Sequence, residues 1–273
     1  MKLSVVIPNY NGEKWMLKCL SHLESGLKIV SESEVYIIDN GSSDGSIEVI
    51  RPILGKKNQH LIKNKKNLGF ARAVNQAAIQ AQGELILILN NDCLVASDTI
   101  EKLLATMKKY PKYVATQPVV KKGKVIENIG YLVDTWQGRA KVISDTNLLK
   151  ELDKRYIYGL SATCLLIKKS VFTNVGMFDE KFHSYLEDVD LFLRLHKQGY
   201  QYGATIDATC QHEHMATSSK MGSYKQKRDL LNWIRIILKN FSLGHILQHL
   251  PILLVERLRN LSGLLKAVII KGL

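Results

Sequence analysis

The chain has 273 residues, 46% of them apolar and 23% charged, with 38 Lys and Arg against 25 Asp and Glu. That balance excludes a disordered chain and supports one large or two small domains held by packing alone, without metal or disulfide staples. The formal charge of +13 suits phosphates, whether in lipid headgroups, nucleic acid or a nucleotide, and does not choose among them.

Cys19, Cys93, Cys164 and Cys210 lie far apart and form no C-x-x-C pair. This spacing argues against zinc ribbons, thioredoxin-like sites and a secreted disulfide framework, and predicts a reducing cytosol. The apolar run Leu3–Ile7 stops at Pro8-Asn9, too short for a signal-peptide core. No window offers the roughly 18 apolar residues of a membrane-spanning helix.

In chain order, short β-branched runs alternate with helical patterns: Leu3–Ile7 then Lys14–Leu23, Val35–Ile38 then Ile47–Leu54, His60–Ile62 then Ala71–Ala81, Leu85–Leu89 then Thr99–Met107. This βαβα rhythm predicts a mostly parallel sheet covered by helices, with ligands at the carboxyl ends of the strands. Beyond Val114 the rhythm gives way to a polar, mixed region as far as Tyr158, read as the half that receives a second substrate. A strand follows at Ala162–Ile167, a short helix from Ser170 stopped at Gly176, and a helix over Glu187–Gln198 ended by Gly199. Leu230, Trp233, Ile234, Ile237, Leu238 and Phe241 mark a basic amphipathic helix, and a second apolar stretch over Ile246–Ile270 is interrupted by Pro251 and Gly263. From Met215 to Leu273 six Lys and four Arg oppose only Asp229 and Glu256, so the tail carries +8 of the +13. Both stretches are expected to lie on a membrane surface.

The strand ends carry complementary chemistry. Asp92 closes the buried run Leu85–Leu89 through Asn90-Asn91, where a hard divalent cation would bridge it to a diphosphate; a local turn or helix cap is the bland alternative. Asp39 is placed to accept the N3–H of uracil or thymine, with Asn9 completing the pocket, whereas Asp44 reads as a cap. Asn67-Leu68-Gly69 opens a helix whose N–H groups, with Arg72, would receive phosphate oxygens; Arg72 reads equally as a surface residue. In the run Phe178–Arg194 acidic residues crowd a helix start, leaving Glu187 or Asp188 as a carboxylate poised to take a proton from a hydroxyl. Asp190 and Arg194, four apart, read as a structural ion pair. Trp136 and Tyr185 are candidates for stacking on a sugar ring, with packing the commoner use of an aromatic.

Val5–Asn11, Ile38–Gly45, Asn67-Leu68-Gly69, Leu89–Asp92 and the Phe178–Arg194 run, in this order, resemble the family 2 glycosyltransferases of GT-A (Rossmann-like) α/β fold, close to many bacterial rhamnosyltransferases. The resemblance covers roughly residues 1–215: a nucleotide-binding half over 1–112 and an acceptor-binding half over 113–215, with 216–273 left as the amphipathic helical tail. It implies inverting transfer from a UDP-sugar or dTDP-rhamnose to a glycan or lipid-linked hydroxyl in cell-surface polysaccharide synthesis. Asp188 then matches the general base, with Glu187 as fallback, and Asp92 the last acid of the D-x-D metal motif, whose first position here is Asn90. His212 or His214 would return to the metal, Mg2+ or Mn2+. Donor contacts fall to Pro8, Asn9, Tyr10, Asp39, Asn67, Gly69, Arg72, Asn90 and Asn91, and Gly159–Thr163 resembles the segment lining donor sugar and acceptor. The Q-x-x-R-W motif of processive synthases is absent, so one sugar or a few per encounter is expected. A cytoplasmic protein, peripheral on the inner membrane face, follows, with the tail alternatively forming a homodimer. Sugar nucleotidyl transfer and nucleic-acid binding are the competing readings; the first lacks its glycine-rich, arginine-containing N-terminal loop, the second its stacking platform.

Overall fold

The computed structural model describes residues 2–54, 58–149, 153–213 and 222–272. β1 (Leu3–Asn9), β2 (Ser33–Asp39), β3 (Gln59–Lys63) and β4 (Leu85–Leu89) pair in parallel in the order β3-β2-β1-β4. Their side chains alternate between two cores. Val6, Ile38, Ile86 and Ile88 face one side of the sheet, and Val5, Ile7, Ile37 and Leu87 the other. Burial on both faces explains why β1, β2 and β4 read as apolar runs, while β3, at the sheet edge, is half-buried.

α1 (Glu13–Leu27) and α4 (Thr99–Lys109) cover the second face, where all four cysteines are buried as free thiols. α3 (Phe70–Gln80), α5 (Lys169–Asn174) and α6 (Glu187–Lys197) cover the first. The pattern expected over Ile47–Leu54 is α2 (Ser46–Ile50) followed by a 3-10 turn that holds Pro52.

The region read as polar and mixed is built from strands. β5 (Cys93–Val95), β6 (Tyr113–Lys122), β7 (Val125–Asn128), β11 (Cys164–Lys168) and β12 (Gln201–His212) extend the sheet past β4 in the order β11-β6-β12-β5, with β7 on β6. β8 (Tyr131–Asp134), β9 (Arg139–Val142) and β10 (Tyr156–Gly159) form a separate three-stranded sheet, ordered β10-β8-β9. β11 is antiparallel to β4 and β6, so Ser161–Thr163 are delivered to the same rim as the loop after β4.

The tail is helical, as expected, in α7 (Gly222–Asn240) and α8 (Leu243–Gly272). The expected boundary between 215 and 216 lies outside the described residues. α7 is no loose appendage: Trp233 and Ile236 are buried in the same core as α3 and α6. α8 runs through both Pro251 and Gly263, contrary to the expected interruptions. Pro251 sits on an exposed position of α8, where water can hydrate the carbonyl it deprives of a donor.

Candidate active site

The loops after β1, β2 and β4 are wired together by amides and one carboxylate. Asn9 Nδ2 donates to Asp39 Oδ1 at 3.0 Å and to Ser42 Oγ at 3.2 Å, while its Oδ1 accepts from Asn91 Nδ2 at 2.7 Å. Asp39 Oδ2 also accepts from the Ser42 N–H. Gly12 permits this convergence, because a Cβ there would lie 2.1 Å from both Asn9 Oδ1 and Asn91 Nδ2. Asp44 caps α1 and α2, accepting from the Glu13 N–H at 3.0 Å and the Ser46 N–H at 3.1 Å, as its position implied.

These loops wall a cavity of about 380 Å³. Pro8, Asn9, Tyr10, Asn67, Asn90, Asn91, Asp92, His212, Glu187 and Asp188 all line it, as do Ser161, Ala162, Thr163 and Tyr185. Residues from both halves of the sheet therefore meet in one concave site, the usual form of a small-molecule pocket.

At one part of the wall, β12 pairs with β5 so that His212 stands opposite Cys93. This register puts His212 Nε2 3.3 Å from Asp92 Oδ1 and His212 Nδ1 3.6 Å from Glu127 Oε2. Burial disfavours a charged ring, but the hydrogen bond and charge of Asp92, reinforced by Glu127, raise its pKa above the ordinary histidine value. His214 lies outside the described residues. Asn90 Oδ1 is buried and finds no hydrogen-bond partner among the described residues. A carboxylate, an imidazole and an unsatisfied amide oxygen in one cavity fit a divalent cation of the Mg2+ or Mn2+ kind.

At another part, α6 begins with Glu187 and Asp188. Glu187 is buried, and its Oε2 has no hydrogen-bond partner among the described residues. Burial, with the neighbouring Asp188 charge, pushes the Glu187 carboxyl well above the usual carboxylate range. Burial also raises Asp188, but Asp188 accepts from two backbone donors, Ala162 N–H at 3.2 Å and Val189 N–H at 2.8 Å, which pull the other way. Of the two carboxyls, Glu187 is pushed up further, and the backbone donors favour the charged form of Asp188.

Some expected contacts are made elsewhere. Arg72 pairs with Glu180 at 3.7 Å and does not line the cavity. The α3 N-terminus, expected to take phosphate, is capped by protein instead: the Ala71 N–H bonds the His183 carbonyl at 3.1 Å and the Phe70 N–H bonds Ser184 Oγ at 3.3 Å. Gly69 does allow close approach, but of this turn, since a Cβ would lie 2.4 Å from the His183 carbonyl oxygen. Asp39 stands behind the wall, 4% exposed, as the anchor of Asn9. Trp136 stacks on His249 and under Arg155, away from the cavity.

Other lining residues escaped the sequence reading. Asn40 ties Asn64, Asn67 and the Gly69 carbonyl together. His183, Tyr224 and Lys225 also line the cavity, with Tyr224 Oη 3.0 Å from His183 Nδ1. The run of polar residues after β2 was a signal for Asn40; a helix more than 40 residues downstream offered none for His183.

The sequence profile described as glycosyl transferase family 2 matches residues 4–176. An N-acetylglucosaminyl-diphospho-decaprenol L-rhamnosyltransferase of Mycobacterium tuberculosis is 28% identical over 210 residues, 66% of this chain and 67% of that protein. The poly(ribitol-phosphate) β-N-acetylglucosaminyltransferase TarS of Staphylococcus aureus is 28% identical over 111 residues, covering 40% of this chain and 19% of TarS. Among solved structures, the mannosyltransferase PcManGT from Pyrobaculum calidifontis, in complex with GDP-Man and Mn2+, superposes with a TM-score of 0.67 at 17% identity over 97% of this chain and 72% of that one. TarS 1–349 with UDP-GlcNAc gives 0.61 at 18% identity, covering 94% and 72%. These likenesses show the GT-A fold.

Proposed function

The chain belongs to glycosyl transferase family 2, and on that premise we propose an inverting, metal-dependent, non-processive enzyme that moves a sugar from a UDP-sugar or dTDP-rhamnose to a glycan or lipid-linked acceptor in cell-surface polysaccharide synthesis. The observation that carries the reading is the placement of Asp92 and His212 in one cavity with the adjacent carboxyls of Glu187 and Asp188. Nucleotidyl transfer and nucleic-acid binding are less well supported, because the matched family is one of sugar transfer.

The donor lies against the Asn9–Asn91–Asp39 network, with Pro8, Tyr10, Asn67 and Asn90 around it. Asp92 and His212 would hold the cation, and the Asn90 amide oxygen in the same cavity would be a further donor. When bound, Mg2+ or Mn2+ there offsets the charge growing on the departing diphosphate. Asp188 takes the proton of the acceptor hydroxyl as its oxygen bonds to the anomeric carbon; the bond from that carbon to the diphosphate oxygen breaks, and one displacement inverts the centre. Burial and the Asp188 charge favour the neutral form of Glu187, so negative charge gathers on Asp188.

The absent Q-x-x-R-W motif supports non-processive transfer. No helix among the described residues is long and apolar enough to cross a membrane. α8 nevertheless exposes Leu243, Leu247, Leu250, Leu254 and Leu258 at helical spacing within the basic tail. This face supports a peripheral position on an anionic inner leaflet, with a homodimer as the competing use. The relatives' names, a polyprenol-linked diphosphate acceptor and a poly(ribitol-phosphate) polymer, support an acceptor that is membrane-linked or polymeric.

A donor panel of UDP-sugars and dTDP-rhamnose with Mn2+ tests the activity. Asp188→Asn is expected to lower turnover by about 10²–10⁴-fold with donor affinity retained, and chelation or Asp92→Ala to weaken donor binding itself. Full turnover by Asp188→Asn removes the base; transfer undiminished by both metal treatments removes the cation.

A further inference from the structure

One buried amide of α7 holds the turn that precedes α6. Asn232 is 0% exposed, and its Nδ2 donates to the carbonyls of Tyr185 at 2.7 Å, Ser184 at 3.0 Å and Phe182 at 3.2 Å. Its Oδ1 accepts from Arg235 Nη1 at 2.8 Å. Two amide hydrogens are thus shared among three acceptors of one short turn, with the remaining oxygen fixed by its own helix.

The turn so gathered holds an unusual backbone. His183, Tyr185 and Leu186 have φ of +62°, +69° and +67°, and none is glycine. Such conformations persist only where the surroundings over-determine them. The next two residues are Glu187 and Asp188, so the path of this turn sets where both carboxylates stand. α7 grips the start of α6 a second time: Lys239 Nζ and Asn240 Nδ2 each donate to the fully buried Asp190 at 3.0 Å.

We propose that Asn232 is a positioning residue for the Glu187–Asp188 pair, which makes α7 part of the catalytic apparatus. The proposal rests on the reading of Asp188 as proton acceptor. A base works only within hydrogen-bond reach of its proton, and misplacing it by an ångström costs on the order of 100-fold in rate. The Asn9–Asn91–Asp39 network belongs to other elements and shares no hydrogen bond with this amide, so that part of the nucleotide site stands without it.

Asn232→Leu removes the donors with the same branching and heavy-atom count, though its methyl groups are bulkier than the amide. Asn232→Asp keeps the shape while losing the N–H groups, and guards against a packing failure in the first variant. Affinity for UDP and dTDP with Mn2+ is measured by calorimetry, which also counts the binding-competent molecules, and kcat is expressed per competent molecule. The expected result is a nucleotide Kd within about twofold of the parent and a kcat lower by about 10- to 100-fold. An unchanged kcat per competent molecule in either variant overturns the proposal, because a merely structural role would alter only the number of competent molecules. The two readings fail separately. An inert Asp188→Asn with unaffected Asn232 variants refutes the positioning role alone, and an active Asp188→Asn refutes the base.

Discussion

Glu187 and Asp188 are adjacent carboxyls, yet burial raises Glu187 further than Asp188, which backbone N–H groups hold down. The Glu187 pKa is raised in the folded chain by burial and by Asp188, whereas the unfolded chain ionises it near the usual ~4.3. Below that value both states are protonated and nothing is lost; as pH rises above it, only the unfolded state gains charge, and stability declines until the folded value is passed. Glu187→Gln is therefore expected to raise Tm at pH ~7 and to leave it unchanged near pH ~3, below the ordinary glutamate range. An equal shift at both pH values would tie the effect to packing instead. Asp92, Asn9, Glu187 and Asp188 were legible because each lies in a contiguous motif at a strand end or helix start. The approach of His212 to Asp92 needed the β5–β12 register, which residue spacing does not encode. Arg72 was misplaced because its partner, Glu180, lies on a distant segment that only folding brings near.

At the scale of elements, the first half was readable because β1, β2 and β4 are buried on both faces and its helices on one. β7 and β9 hid for the opposite reason: four residues each, mostly exposed or half-buried, they give no periodic apolar signal. α8 was legible as amphipathic, but its continuity was not, since a proline ordinarily ends a helix. Pro251 lies in the interior of α8, where proline costs up to about 3 kcal/mol relative to alanine. Pro251→Ala should slow amide exchange along α8 and raise the urea midpoint, with the slowing strongest in the turn before residue 251. Unchanged exchange there would mean that hydration of the freed carbonyl offsets the whole cost.

For the molecule as a whole, the division at 215/216 was suggested by charge and by the end of the motif set, and charge alone does not reveal packing. Trp233 and Ile236 fill the main core, and α7 lines the cavity with Tyr224 and Lys225. α8 leaves its leucine face exposed. Removing residues 243–273 should thus abolish flotation with anionic vesicles while sparing transfer to a soluble acceptor, and raised salt should weaken flotation of the intact chain. Flotation that survives the deletion would place the contact elsewhere, and a fall in sedimentation mass instead would identify a dimer. Removing α7 as well should unfold the protein.

The dry thiols beneath the sheet make the chain a natural blank for labelling chemistry. Since all four cysteines are buried, a maleimide dye should ignore the native protein and react with a cysteine introduced at Leu258, which is 63% exposed. Its emission colour would then report how deeply that flank sinks into oil.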